Sequence, residues 1–479
     1  MNKHLILTVL WTVFCLPVFA NNITISAPAL ANGSAADGYG LVTFDLSWEN
    51  SWRLSSGISN WDAAWVFVKY RVGSGEWLPA NLHNDGHIAG MGTDITVGLV
   101  DDNAAFDANT NPGIGAFVYR SSAGTGTFTS TGLKLRWDYG ADGIAGGTNV
   151  DVKVFAIEMV RVLDGAFNVG GGGGTSTFAS TTISTANATT APTGIGALGG
   201  AAGGYPTGQT APDNASWPNG YAAFYCMKYE ITQQQYVDFL NTLTQTQATV
   251  RMFTPPEPLI DRYAITGSVV GSYATTLPNV ACNYLSWADG AAYADWSGLR
   301  PMTELEFEKA CRGPLAAVGG EYAWGTADIV SSTHTLSNEG ASNEGIATNY
   351  STTAGNAIYS NGPVRVGIFA ANTSNTGRVS SGASYWGIME LSGNLWERPV
   401  TIDNLTGRAF TGTHGNGVLT SNGNADAATW PGTNAVGAGW RGGSWSTDPP
   451  YLEVSNRLNA GYTDASRDYG TFGFRAVRR

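Results

Sequence analysis

The run Val152-Lys-Val-Phe-Ala-Ile-Glu-Met-Val-Arg-Val-Leu163 contains neither Pro nor Gly. It joins two stretches of unlike pattern, so it constrains the whole chain. Upstream, apolar residues alternate with polar ones at period 2; downstream, short helical patterns stand among long Gly-rich stretches. A strand that crosses such a boundary without a breaker predicts two halves in fixed mutual orientation. At 479 residues there is room for two or three domains of about 150 residues each. The expectation is an N-terminal all-β sandwich at 22–155 followed by a loop-rich unit at 156–479.

The sandwich rests on repeated strand signals. Val42, Phe44, Leu46 and Trp48 alternate with polar residues, and Trp61 to Arg71 forms a longer, more apolar run. Phe117 and Tyr119, then Leu133, Leu135, Trp137 and Tyr139, then Val150, Val152 and Val154 repeat the pattern between Gly, Asn, Asp and Ser clusters. Two metal-like motifs here fail on inspection. Asp107-Ala-Asn-Thr-Asn111 opens like an EF-hand loop, but Pro112 stands where Gly is needed and Val118 where the closing Glu belongs, so a polar turn is expected. His83 and His87 are separated by Asn84-Asp-Gly86, a loop that gives them no shared helical face.

Residues 1–20 read as a signal peptide. Lys3 and His4 precede an apolar stretch to Phe19, and Val18-Phe-Ala20 forms a small-residue cleavage site before Asn21. The apolar stretch falls short of the roughly 20 residues of a spanning helix. Phe14 before Cys15 departs from lipoprotein signals, which need a small residue there. A secreted or periplasmic protein without a membrane span is expected. Its remaining cysteines, Cys226, Cys282 and Cys311, are odd in number. They fit buried small hydrophobes, with a Cys282–Cys311 bridge as the competing arrangement. A net charge of −12 without any basic run argues against nucleic acid as a partner.

In the second unit, Gly170–Gly174 lacks a following Lys-Ser/Thr and is no phosphate loop. With the Ser/Thr/Ala/Gly-rich residues 175–210 it reads as a mobile loop. Capping signals then open three helices: Thr232 with Gln235, Ser286, and Thr303 with Glu306. Tyr236, Phe239, Leu240 and Leu243 form the buried stripe of the first. Glu304, Glu306 and Glu308 fit a solvated face at the favourable end of the third. Residues 314–386 need internal pins, such as Tyr322 and Trp324 or a bound ion.

The stretch Gly387-Ile-Met-Glu-Leu-Ser-Gly-Asn-Leu-Trp-Glu-Arg-Pro399 sets Glu390 and Glu397 about a Ser-Gly-Asn turn. A turn with Gly can aim backbone carbonyls inward, and two carboxylates can close the ring on a hard cation such as Ca²⁺. The alternative is that Trp396 plugs the core and backbone N–H groups hold Glu397.

An ordered series of segments resembles the formylglycine-generating enzyme/sulfatase-modifying factor family. It begins with Met159-Val-Arg-Val-Leu-Asp-Gly-Ala-Phe167, Lys228-Tyr-Glu-Ile-Thr232 and Ser286-Trp-Ala-Asp289. Arg300-Pro-Met-Thr-Glu-Leu-Glu-Phe307, Gly393-Asn-Leu-Trp-Glu397, Arg441-Gly-Gly-Ser-Trp445 and Gly473-Phe-Arg475 complete it. The resemblance covers about residues 156–479 and implies an α+β, loop-rich, C-type-lectin-like fold. It also implies a structural calcium held by the side chains of Glu390 and Glu397 and the carbonyls of Gly393 and Leu395. The catalytic part of the resemblance fails. The family's copper-binding cysteine pair belongs in the segment after Gly-Gly-Ser, and Ser446–Arg457 has no cysteine. No copper is therefore expected, because a Cu(I) site needs soft thiolates.

In this fold the last forty or so residues form the exposed ligand-facing surface. Here they offer Trp445, Thr447, Asp448, Tyr451, Asn456, Asn459, Tyr462, Asp468 and Tyr469, stiff aromatic area beside adaptable hydrogen-bonding groups. Arg457, Arg467 and Arg475 fit pins for buried loops better than ligand contacts. The tail also resembles the variable region of retroelement-diversified lectin-fold proteins. The expected role is an exported, non-catalytic recognition or structural protein whose partner is a glycan or an extracellular protein. The alternative is an oxidoreductase of the formylglycine-generating type with a rearranged metal site.

Overall fold

The computed structural model describes residues 22–479 apart from 172–175, 187–211, 213, 358–360 and 468. The expected leader lies outside the described residues. So does most of the stretch expected as a mobile loop.

The chain is mostly β with few helices. Its first strands are β1 (Thr24–Ile25), β2 (Ala29–Ser34), β3 (Tyr39–Arg53), β4 (Asp62–Val72) and β5 (Leu78–Pro79). Then come β6 (Thr93–Leu99), β7 (Gly113–Arg120), β8 (Gly124–Trp137) and β9 (Val150–Val162). Strands β1, β2 and β8 all pair with β3 in a four-stranded sheet. The alternation in β3 does what period 2 dictates: Val42, Phe44, Leu46 and Trp48 point inward. They meet Leu133, Leu135 and Trp137 of β8, and across the core Ala64, Val66 and Val68 of β4 and Ala116 and Val118 of β7.

Strand β4 belongs to a second, eight-stranded sheet and is buried on both faces. That explains its unbroken apolar run, because its other face packs Ala63, Trp65 and Phe67 into a second core with Ile157, Tyr225, Trp287 and Phe474. Short strands β10 (Phe167–Val169) and β11 (Thr181–Ile183) pair with each other, so this part of the expected loop is an ordered hairpin arm. Strand β12 (Phe224–Met227) pairs with β9 at Met159–Val162, while β9 pairs with β4 from Val150 to Val160. Strand β9 thus crosses the boundary that its sequence marks, and one sheet runs through both regions. The strands Ala476–Arg478 and Arg300–Pro301 extend it beyond β12.

Among the described residues the longer α-helices are α1 (Gln233–Leu240), α2 (Gln245–Arg251), α3 (Trp287–Trp296) and α4 (Glu304–Arg312), beside shorter α- and 3-10 turns. Thr232, Ser286 and Thr303 cap α1, α3 and α4 in complete capping boxes, each cap worth about 1 kcal/mol. Helix α2, which the sequence analysis missed, has the same device in Thr244 and Gln247. Tyr322 and Trp324 stack at 4.7 Å and, with Ala357 and Leu452, pin the long loop region. Asp107 closes a polar turn by accepting from the N–H groups of Asn109 and Thr110.

One expectation holds and one is corrected. Cys226, Cys282 and Cys311 are all buried and unpaired, as small buried hydrophobes, and the competing Cys282–Cys311 bridge does not form. Burial pushes the Cys226 thiol up to about 12, far from a reactive thiolate. Glu304, Glu306 and Glu308 form no solvated face; all three are buried against arginines.

Candidate functional site

The turn around Glu390 and Glu397 is built by strained but well-held backbone. Glu390 and Asn394 both adopt left-handed conformations, with φ of 53° and 58°. Asn tolerates that region better than Glu, whose placement costs on the order of 1 kcal/mol and must be held by its surroundings. The Gly367 N–H donates to Glu390 Oε1 at 2.8 Å, and the Met389 N–H donates to the Lys228 carbonyl at 3.0 Å. Gly393 has φ 99°, and a Cβ there would lie 2.8 Å from the Ala357 carbonyl oxygen.

Glu397 is held by an arginine and not by the backbone N–H groups of the alternative reading. Arg475, from the Gly-Phe-Arg segment, donates Nε to Glu397 Oε1 at 2.6 Å. The rest of that guanidinium serves the carbonyls of Met227 and Met389. Trp396 is buried as a core plug, its backbone N–H on the Thr471 carbonyl. A third carboxylate, Glu230, escaped the sequence analysis. Its Oε1 accepts from the Leu395 N–H at 2.9 Å and its Oε2 from the Asn394 amide, so it sets the course of the turn. The motif Lys228-Tyr-Glu-Ile-Thr232 contained the signal, since an acid between apolar neighbours in a buried strand end needs a partner.

Arg475 thus pairs with Glu397, and its charge also acts on the buried Glu230 and Glu390. Burial raises Glu390 to about 7, against the opposing pull of Arg475 and the Gly367 N–H. Burial likewise raises Glu397 and, further, Glu230, again against Arg475. Glu390 Oε2 and Glu397 Oε2 are buried without a hydrogen-bond partner among the described residues. No group of three or more His, Cys, Asp or Glu side chains is arranged to hold a metal among the described residues. The four-donor set at issue has only two such side chains, its other donors being the carbonyls of Gly393 and Leu395.

The predicted ligand residues of the tail divide into groups. Tyr462 and Tyr469 are half exposed, at 52% and 50%, and Tyr451 is partly exposed. They gather around two tryptophans: Tyr462 lies 4.5 Å and Tyr469 6.5 Å from the Trp440 ring, and Tyr451 6.1 Å from Trp396. Trp440, which the sequence analysis passed over, is the hub of this patch, and its Nε1–H is buried without an acceptor among the described residues. Trp445 is partly buried against the Tyr229–Leu395 cluster and donates Nε1 to the Gly470 carbonyl at 2.9 Å. Thr447 and Asn456 are occupied in local turns, Thr447 with Ser444 and Asn456 with Pro450 and Leu458. Asp448 is exposed, and Asn459 is partly buried with its carbonyl accepting from Trp440. Asp468 lies outside the described residues. Arg457, Arg467 and Arg475 pin Glu304, Asp289 and Glu397 respectively.

With this geometry in place, comparison with known proteins defines the class. The family described as sulfatase-modifying factor enzyme 1-like domain matches residues 156–479, and the chain belongs to that family. A formylglycine-generating enzyme from Streptomyces coelicolor is 51% identical over 51 residues, 11% of this chain and 16% of that protein. One from Thermomonospora curvata is 46% identical over 55 residues, 12% of this chain and 18% of that protein. The matched segments thus span less than a fifth of those relatives' length. Among solved structures, Treponema denticola variable protein 1 is similar at 13% identity and a TM-score of 0.30 over 68% of this chain and 96% of that one. No described helix is long and apolar enough to cross a membrane.

Proposed function

We propose that residues 156–479 form a calcium-stabilised, C-type-lectin-like recognition head on a β-sandwich arm of residues 22–155. In this reading the protein is exported and not a catalyst, and the head binds a glycan or an extracellular protein surface. The observation that carries the proposal is the aromatic patch. Tyr462 and Tyr469 expose half their area around Trp440, whose buried indole N–H lacks an acceptor among the described residues. Aromatic faces of this kind supply contact area at low entropic cost and stack against the apolar face of a sugar ring.

The donor set of the turn fits a hard cation. Glu390 Oε2 and Glu397 Oε2 are buried oxygens without partners among the described residues, and an unsatisfied buried carboxylate oxygen costs free energy. Calcium takes carboxylate and carbonyl oxygens in a flexible shell, so Glu390, Glu397 and the carbonyls of Gly393 and Leu395 would hold it. When bound, the ion supplies positive charge to three carboxylates that otherwise have Arg475 and, at Glu390, Arg365. Its contribution is stability of the turn and, through the Trp396–Trp440 contact, of the aromatic patch beside it.

The test is binding of the purified protein to arrayed glycans, compared with Tyr462→Ala/Tyr469→Ala. Loss of a wild-type signal in the variant at unchanged melting temperature is the expected result. Oxygen consumption with a cysteine-containing peptide, in protein loaded with copper or iron, would instead favour an oxidoreductase with a rearranged site.

A further inference from the structure

A second buried cluster carries chemistry that neither the turn nor the patch uses. Lys228 follows β12, Glu158 lies on β9 and Asp62 opens β4, three neighbouring strands of the larger sheet. The register pairs Asp62 with Val160 and Val160 with Cys226. Alternate residues share a face, so Asp62, Glu158 and Lys228 project to the same side. The Lys228 Nζ lies 3.0 Å from Glu158 Oε2, 3.5 Å from Asp62 Oδ2 and 3.4 Å from the Asn50 carbonyl oxygen. Both ends are dry: Lys228 is 1% exposed and Asp62 0%. The rings of Trp52 and Tyr229 flank Nζ at 4.9 and 5.4 Å.

The Asp62 carboxyl is placed as an acceptor of attack. Trp48 donates Nε1 to Oδ2 at 2.8 Å, while Ser51 Oγ and the Trp52 N–H donate to Oδ1 at 2.8 and 2.9 Å. Fixed donors on a carboxyl take up the negative charge that develops on oxygen when a nucleophile adds to its carbon. Glu158 Oε1 is buried without a partner among the described residues, which leaves this acid an oxygen for a proton. Burial holds Glu158 above the usual carboxylate range. The paired carboxylates hold the Lys228 ammonium above its own range despite burial, so proton transfer to Glu158 is the step that gates any reaction.

We propose that Lys228 and Asp62 join in an intramolecular amide bond, with Glu158 as the proton carrier. Glu158 takes a proton from Nζ, replacing two charges by none in a low-dielectric pocket. The neutral amine then adds to Cγ of Asp62. A new N–C bond forms and one C–O bond breaks; the departing oxygen takes one hydrogen from the adding nitrogen and the one held by Glu158, and leaves as water. Ammonium plus carboxylate gives amide plus water, balanced in charge and atoms without oxidant, reductant or cofactor. The bond ties β4 to the end of β12 across β9, in a chain whose described cysteines form no disulfide.

The test is a tryptic digest of the denatured wild-type chain read by tandem mass spectrometry. The expected result is no cleavage after Lys228 and a branched peptide joining the Asp62 and Lys228 segments, one water lighter than their sum. The Glu158→Gln variant, checked for folding by circular dichroism, is expected to give the linear peptides. A wild-type chain that cleaves after Lys228 and yields an unmodified Asp62 peptide overturns the bond. Branching that persists in Glu158→Gln overturns the role of Glu158.

Discussion

Two groups of buried carboxylates are linked through Arg441, whose side chain serves Glu304 and Glu308 and whose backbone pairs with that of Glu397, and they are treated oppositely. At the start of α4, every carboxylate oxygen has a partner. Glu304 receives Arg441, Arg457 and Thr401; Glu306 receives both arms of Arg300; Glu308 receives Arg441, Arg312 and the Gly170 N–H. In the turn, Glu230, Glu390 and Glu397 share Arg475, and two oxygens are left without partners. Four arginines, Arg300, Arg312, Arg441 and Arg457, satisfy the three acids of the first group. Their shortage in the second is what the proposed calcium would offset.

The largest effect expected from this contrast is at Arg441. Arg441→Met leaves Glu304 and Glu308 short of a buried partner, and removing one member of such a pair costs about 3–5 kcal/mol. Denaturant unfolding measures it; a loss below about 1 kcal/mol, typical of exposed pairs, would break the comparison.

A smaller effect is set by pH. Burial alone would raise Glu304, but Arg457 and Arg441 outweigh it and hold the carboxyl below its usual 4.5. A depressed folded value means that this stabilisation is complete above about 4.5 and fades as pH falls through the folded value. The stability gap between wild type and Glu304→Gln should therefore be widest near neutrality and narrow below pH 4.5. A gap that does not change with pH would show that the carboxylate charge contributes nothing.

The smallest effect belongs to the patch. Tyr462→Ala with Tyr469→Ala should alter stability by no more than about 0.5 kcal/mol per site, since half-exposed side chains away from caps and buried networks rarely matter more. A larger loss would make the two tyrosines part of the core.

The same contrast explains what could be read in advance. The caps at Thr232, Ser286 and Thr303 are contained within four residues each, and so is the box at Thr244 that was overlooked. The inward face of β3 and the passage of β9 between regions are also local patterns, visible as alternation and as the lack of a breaker. The fate of the α4 acids was not local. Three glutamates at alternate positions look like a polar face, and the arginine that buries Glu304 stands 137 residues away. Glu230 likewise acts on a backbone N–H 165 residues downstream. Trp440 becomes a hub only through rings from Trp396, Tyr462, Tyr469 and Phe472. Pattern reveals which side chains turn inward; pairing across the fold decides which of them are satisfied.

The most direct test of the proposed calcium site is titration calorimetry of calcium into the chelator-stripped protein, wild type beside Glu390→Gln. The substitution keeps the oxygen that accepts from Gly367 and replaces the one without a partner. The account predicts about one calcium per chain in the wild type, strongly weakened in the variant, as expected when a charged ligand is removed from an oxygen-donor site. Absence of calcium binding in the wild type, or equal binding in both, would contradict it.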